Sequence, residues 1–444
     1  MAISIHQLKN ACREIEVFVE QTPVGTLTKS GDHFAFTYRK GIDPSLAVSL
    51  LMPVRVESYR TRRPGVLLPA FDMNLPEGEH RRVLTARYSK LVVDFNDLAL
   101  LFLVGRTTIG RVTFGAPQTD KAGTLELDAL MSSRSAEELL NALYRSDAAF
   151  SAISGMQPKV LARLNEADVQ KFSDDRAPGQ NLRLTLRTDD IVVKASPSDK
   201  PWLAANEFYC LRAAKLAGLV VPETRLFRDG QVLLVERFDR AETSTNGLSG
   251  LASEDFCSLN AFTSSYKYTS SYERVVSTLK RWIVPEASDE QMRRLFKSIA
   301  LSCAVRNGDA HLKNFTLLYC PQEGAALEPR VIRATLSPTY DVCTTNAYLS
   351  EDMLALDLLG SKKYPARQKL TDFGVRICNL PLKTIEVALA EVSCGVRRAL
   401  DELRLYAENN PRFMGTVGQP MIKCWQAGLA SIDTGRSGSL PSRG

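Results

Sequence analysis

Asn307-Gly308-Asp309-Ala310-His311-Leu312-Lys313-Asn314-Phe315 is the stretch that decides which fold to expect of this chain of 444 residues. Before it, Met292, Leu295, Phe296, Ile299 and Cys303 recur at helical spacing, and Ser288 with Gln291 reads as a capping box opening that helix. After it, Phe315 to Tyr319 is an apolar, strand-like run. Helix, short polar loop and strand put Asp309 and Asn314 on one turn of chain. An aspartate so placed can accept a hydroxyl proton, and an asparagine amide oxygen slightly further on can ligate a divalent cation. Lys313 lies between them, where an ammonium can meet transferred negative charge. Asn-Gly-Asp is also an ordinary turn sequence, so the surroundings must decide between turn and site.

Asp-x-x-x-x-Asn is the spacing of the protein-kinase catalytic loop, and phosphoryl transfer calls for a further metal ligand. Two aspartates compete for that role. Asp372-Phe373-Gly374 spells a familiar kinase triplet but lies 58 residues past Asn314, where Thr371 looks like the N-cap of a helix running to Cys378. Asp341, in Pro338-Thr339-Tyr340-Asp341-Val342, is only 27 residues on, so two strands and a turn return it to the loop. Asp341 is the expected ligand. Lys194 ends the apolar run Ile191-Val192-Val193-Lys194, from which it can reach the α- and β-phosphates of a nucleotide, although strand-end lysines more often snorkel to solvent. Glu207, in the helix expected from Leu203 to Ala217, is a candidate ion-pair partner for it. With Val160 to Leu164 as a preceding strand-like run and Leu233 to Phe238 as a returning strand, the order strand, strand, helix, strand matches a nucleotide-binding kinase lobe.

Residues 14–40 read as β structure, helical patterning starts near Pro76, and Asp94 or Asn96 is placed to cap a helix through Leu101. Residues 1 to about 115 are therefore expected to form a small α+β domain. A short helix is expected over 135–144, a turn over 173–179 and a strand over 182–186. Residues 241–252 read as a mobile loop, and 431–444, rich in Gly, Ser and Pro, as a disordered tail. The formal net charge of +6 is mild and demands no polyanionic partner. Nine cysteines, an odd count with no Cys-x-x-Cys pair, argue against a disulfide framework or zinc site and for reduced thiols. The start of the chain has no secretory h-region, and the longest apolar stretch, Leu98 to Gly105, falls short of the about 20 residues a bilayer requires. A cytoplasmic protein is expected.

Taken together, these residues resemble the HipA-type serine/threonine kinase toxins of bacterial toxin–antitoxin pairs, over roughly residues 15–410. In the N-terminal part the resemblance rests on Val24-Gly25-Thr26-Leu27, Leu68-Pro69-Ala70-Phe71, Asn74-Leu75-Pro76-Glu77-Gly78 and the run Val104 to Gly110. Further on it rests on Ser154-Gly155-Met156-Gln157-Pro158-Lys159, Asn206 to Cys210, Val235 to Arg240, the Asp309–Asn314 loop and Pro338 to Val342. It implies an α+β, bilobal, protein-kinase-like fold. The expected parts are an N-terminal subdomain (1–115), an N-lobe with phosphate loop and hinge (116–240) and a mainly helical C-lobe (241–430). ATP and Mg²⁺ are the implied cofactors. Asp309 would be the catalytic base, assisted by Lys313, with Asn314 and Asp341 holding Mg²⁺. Lys194 would bind phosphates, Ser154 to Lys159 would cover them, and Glu236, Arg237 and Phe238 would receive adenine through backbone groups. His311 and Tyr340 join the nucleotide-binding set. The family also phosphorylates a serine of its own phosphate loop. The serine found two residues before Ser154 in many members is Ala152 here, which makes Ser154 the candidate, with Ser151 nearby. The implied partners are a protein substrate, a small helix-turn-helix antitoxin of the HipB type and, through it, operator DNA. A rival expectation is a co-repressor that acts mainly with the antitoxin and has only minor kinase activity.

Overall fold

The computed structural model describes residues 4–105, 108–116, 159–162, 191–227, 230–243, 247–321, 324–329 and 331–433. The N-terminal part folds around an antiparallel sheet of five strands: β1 (Glu14–Val19), β2 (Thr22–Ser30), β3 (His33–Tyr38), β4 (Tyr59–Arg60) and β5 (Val112–Phe114), in the order β4-β3-β2-β1-β5. Alternation in β1 and β3 turns Val17, Val19, Phe34 and Phe36 inward, onto the apolar helix Asp97–Val104. Asn96 caps that helix as expected, its side-chain oxygen accepting from the Leu98 amide at 2.9 Å. A second antiparallel sheet follows: β6 (Lys159–Ala162), β7 (Ile191–Ala195), β8 (Thr224–Phe227) and β9 (Val232–Glu236), ordered β6-β7-β9-β8. Helix Leu203–Leu216 packs beside it, with Gly218 in left-handed backbone just past its C-terminal cap, Ala217.

The C-terminal half is mainly helical. Helix Ser288–Ala304 is its buried axis, with Leu295, Phe296 and Ile299 shut off from solvent, and helices Leu382–Asn409 and Gln419–Ile432 pack on it. A Cβ on Gly428 would lie 1.9 Å from the Ala304 carbonyl oxygen, so only glycine permits this helix spacing. On the cleft side, β12 (Ala252–Asp255), β13 (Thr316–Tyr319) and β14 (Ala334–Leu336) form a three-stranded sheet. β13 and β14 are the two strands that carry the chain from Asn314 back to Asp341.

Several local expectations need correction. Residues 241–252 are not a loop throughout: β10 (Arg240–Thr243) and β11 (Gly247–Gly250) pair as a hairpin, and Ala252 already belongs to β12. Ser288 does not cap its helix. A 3₁₀ turn, Pro285–Ala287, leads into the helix, and Gln291 instead accepts from the Leu336 amide at 2.9 Å. The helix carrying Asp372 starts at Arg367, so Thr371 lies inside it. Ser431 and Ile432 of the expected tail still belong to the last helix, and Ile432 is buried. The expectations for 135–144, 173–179 and 182–186 lie outside the described residues. All nine cysteines are free thiols. Among the described residues no helix is long and apolar enough to cross a membrane.

The N-terminal part is joined to the rest through buried polar contacts. Glu254 of β12 accepts from the Ser49 hydroxyl (2.6 Å), the Leu50 amide (2.7 Å) and the Tyr319 hydroxyl (2.6 Å). Arg237 donates to the Thr108 carbonyl at 2.8 Å, and the Gly110 amide donates to Asp239 at 2.6 Å. Buried carboxylates and guanidinium groups are tolerated only when paired in this way. The N-terminal part is thereby fixed against β12 and the Arg237–Asp239 segment that follows β9.

Candidate active site

The loop after the buried helix is built to present Asp309. The Asn307 side chain accepts from the Asp309 amide at 3.0 Å, closing a tight turn. A Cβ at Gly308 would meet an Asp352 carboxylate oxygen at 2.1 Å and the Met353 carbonyl oxygen at 2.5 Å, so the backbone passes where no other residue fits. A 3₁₀ turn over Leu312–Asn314 then swings Asn314 toward Asp341. The Asn314 amide nitrogen donates to the Asp341 backbone carbonyl at 3.2 Å, while its Oδ1 is buried with no hydrogen-bond partner. A buried amide oxygen left so is costly unless a cation or donor completes it, which fits a metal ligand. Asp341 sits in left-handed backbone, φ +55, an uncommon conformation for a residue with a Cβ.

Lys194, the penultimate residue of β7, has its ammonium buried, on Glu207 and at 2.8 Å from the Asp341 carboxylate. The ion pair with Glu207 that the sequence suggested is therefore present. Neighbouring Asn206 binds both backbone groups of Thr344, accepting from its N–H at 2.7 Å and donating to its carbonyl at 3.1 Å. Two adjacent residues of one helix thus fix the strand lysine and the segment behind Asp341. Asp372, by contrast, is on a helix and accepts only locally, from Gln368, while Phe373 is core and Gly374 packs on Ile385. The triplet has no part in the cleft.

The cleft between the sheets is lined by Lys194, Val235 to Asp239, His311, Lys313, Asn314, Tyr340 and Asp341. The Phe238 and Tyr340 rings lie 5.2 Å apart at a tilt of 40°, and the Tyr340 hydroxyl donates to the Lys313 carbonyl at 2.6 Å. The Arg237 guanidinium is paired with Asp239. Burial, with Lys267 nearby, pushes the His311 imidazole down to about 3, so the ring is neutral at physiological pH. Burial raises Asp309 above its usual 3.8, while a hydrogen bond from the Tyr268 hydroxyl, 2.6 Å, opposes it. Ser154, Gly155, Met156, Gln157 and Pro158 lie outside the described residues. Lys159 opens β6 opposite Lys194 in the antiparallel register.

Sequence reasoning missed the contribution of the N-terminal part. Met73, Asn74, Glu77 and Ile109 line the same cleft. Glu77 accepts from Lys313 and from Lys267, both at 2.7 Å. Those two ammonium groups hold its carboxyl well below the usual range despite burial. The available signal was the motif Asn74 to Gly78, which carried no assigned role. Asp255, the buried cap of helix Phe256–Leu259, also faces this cluster.

Burial raises the Asp255 carboxyl from 3.8 to about 6. Folding then favours its protonated form, so its contribution to stability is complete below pH 3.8 and is lost as pH rises to about 6. Asparagine also serves as a cap. Asp255→Asn should therefore gain stability over the parent above pH 6, on the order of 2–3 kcal/mol, and little below pH 3.8. Urea unfolding at the two ends of that window measures the difference. Equal differences at both ends would refute the assignment.

Comparison with known proteins agrees with this architecture. Residues 15–115 match the HipA N-terminal domain, and residues 151–400, more than half of the chain, match the HipA-like C-terminal domain. A putative kinase, Y4dM, of Sinorhizobium fredii (strain NBRC 101917 / NGR234) is 27% identical over 377 residues, 80% of this chain and 83% of that protein. Y4mE, a putative kinase of the same strain, is 26% identical over 357 residues, 76% and 78% of the two chains. Among solved structures, HipA in the Shewanella oneidensis MR-1 complex of HipA, HipB and operator DNA superposes with a TM-score of 0.62 at 19% identity. That match covers 96% of this chain and 100% of the other, and it shows a shared bilobal fold. With both family domains matched in order along the sequence, the chain belongs to the HipA family of toxin kinases.

Proposed function

We propose that this protein is an ATP- and Mg²⁺-dependent serine/threonine protein kinase and the toxin of a toxin–antitoxin pair. The observation that most supports it is the meeting of Lys194, Asn314 and Asp341 in one cleft, with Asn314 Oδ1 buried and unpartnered beside the Asp309 loop. In this reading Asp309 takes the proton of the acceptor hydroxyl and aims that oxygen at the γ-phosphorus. Lys194, oriented by Glu207, binds the α- and β-phosphates. Asn314 Oδ1 and the Asp341 carboxylate hold Mg²⁺, which when bound neutralises phosphate charge. Adenine lies along Glu236 to Phe238, against the paired rings of Phe238 and Tyr340, with neutral His311 deeper in the cleft. Ser154 to Lys159 cover the phosphates, and phosphorylation of Ser154 shuts the kinase off. Lys313, held by Glu77, keeps positive charge beside the transferred group.

The partner is a helix-turn-helix antitoxin of the HipB type, and operator DNA is reached through it. This partnership is supported by the kinship with HipA of the Shewanella complex. The acceptor is a serine or threonine of a cellular protein, with translation proteins the first class to examine. Phosphoproteomics of cells expressing the parent or Asp309→Asn tests the reading. Serine or threonine sites enriched only with the parent are expected. Identical phosphoproteomes, with equal growth arrest, would remove kinase activity as the toxic function.

A further inference from the structure

We propose that the point now held by the Tyr268 hydroxyl is the acceptor subsite, and that Tyr268 is the side chain an incoming serine or threonine displaces. The inference rests on the kinase reading, since it takes Asp309 as the base. A general base must stand within hydrogen-bond reach of the hydroxyl that it deprotonates. Tyr268 makes that bond, its hydroxyl donating to Asp309 Oδ1 at 2.6 Å. The ring lies edge-on to His311 at 4.9 Å and is partly exposed, so it stands between Asp309 and solvent rather than in the core.

The segment that carries Tyr268 is held mostly by the N-terminal part. The Ser264 amide donates to Asp72 at 2.6 Å, Lys267 pairs with Glu77 at 2.7 Å, and Arg63 donates to the Tyr266 hydroxyl. On its other side the Leu312 amide of the catalytic loop donates to the Lys267 carbonyl at 3.2 Å. Tyr268 is thus delivered to Asp309 by a strap anchored on another part of the fold. Lys362 reaches the Tyr268 carbonyl at 3.4 Å, and Lys200 and Lys267 are close enough to act on the Asp309 charge. Lys200 and Lys362, the two of these that are not buried, suit an acceptor serine with acidic neighbours. On displacement, the acceptor oxygen gives its proton to Asp309 and bonds to the γ-phosphorus. The bond from that phosphorus to the β,γ-bridging oxygen breaks, and ADP leaves with the electron pair.

Tyr268→Phe keeps the ring and deletes only the competing hydroxyl. With dephosphorylated casein, an acidic serine-rich protein, as acceptor and MgATP as donor, the variant should show a KM for casein lower by on the order of ten-fold. The KM for ATP should be unchanged and kcat equal to or above that of the parent. Hydrolysis of MgATP without casein, with water as acceptor, should rise in the same direction. A variant with lower or unchanged casein kcat/KM would overturn the proposal and assign Tyr268 to positioning Asp309. Asp309→Asn separates the two claims. If it abolishes turnover while Tyr268→Phe gives no gain, the kinase reading survives and the acceptor subsite falls. If Asp309→Asn has no effect, or neither the parent nor Tyr268→Phe turns over MgATP, both readings fall.

Discussion

Asp309→Asn is expected to lower phosphoryl transfer by about 10²–10⁴-fold, the usual contribution of a positioned general base, while MgATP affinity stays within a few-fold of the parent. The amide has the same shape as the carboxylate and still accepts from Tyr268, so the loop closed by Asn307 and Gly308 has no reason to move. The variant loses only proton affinity and one negative charge. Because burial raises the Asp309 pKa above 3.8, the acid limb of the parent's kcat profile should lie above the range of an ordinary aspartate. That limb should be absent from the residual activity of the variant. Single-turnover rates across pH, with calorimetric titration of MgATP, check both parts. A residual rate near that of the parent would mean that another group takes the proton.

Lys194→Met carries the second large effect, and it acts on stability as well as on nucleotide binding. The lysine lies buried between Glu207, itself almost without exposure, and Asp341. Both carboxylates and burial act on its pKa, and the carboxylates prevail, so the ammonium stays charged. Removing it leaves Glu207 charged without this partner in a place that water does not reach. Breaking a buried pair from one side costs about 3–5 kcal/mol. The urea midpoint should fall accordingly, and MgATP affinity should fall with the loss of the phosphate contact. Adding Glu207→Gln should restore part of the stability, because the stranded charge is gone, but none of the affinity. An unchanged midpoint in Lys194→Met would show that the pair is not buried as described.

The Asp309 loop was legible because its information is local. The spacing of Asp309 and Asn314, the apolar helix before them and the strand after them can be read within thirty residues. The return of Asp341 to the Asp309 loop was legible because β13 and β14 are the shortest path back, whereas Phe373 and Gly374 of the rival triplet pack in the core. The hairpin Arg240–Gly250 was missed because its small polar residues carry no alternation, and its pairing comes from the backbone. The cap assigned to Ser288 failed because tertiary contact took Gln291 to Leu336. Least legible was Glu77, which pairs with Lys267 and Lys313 across 190 and 236 residues of sequence. No periodicity or local spacing reports such a contact. The sequence could mark Asn74 to Gly78 as a motif, but only the fold brings it to the cleft.

The central claim is that one cleft holds MgATP between the Lys194 strand and the Asp309 loop. A crystal structure with a non-hydrolysable ATP analogue and Mg²⁺ tests it most directly. The account predicts adenine against Glu236 to Phe238, the triphosphate at Lys194, a magnesium ion on Asn314 Oδ1 and Asp341, and the γ-phosphate facing Asp309. Nucleotide bound elsewhere, or bound in the cleft with Asn314 and Asp341 both remote from the metal, would contradict it.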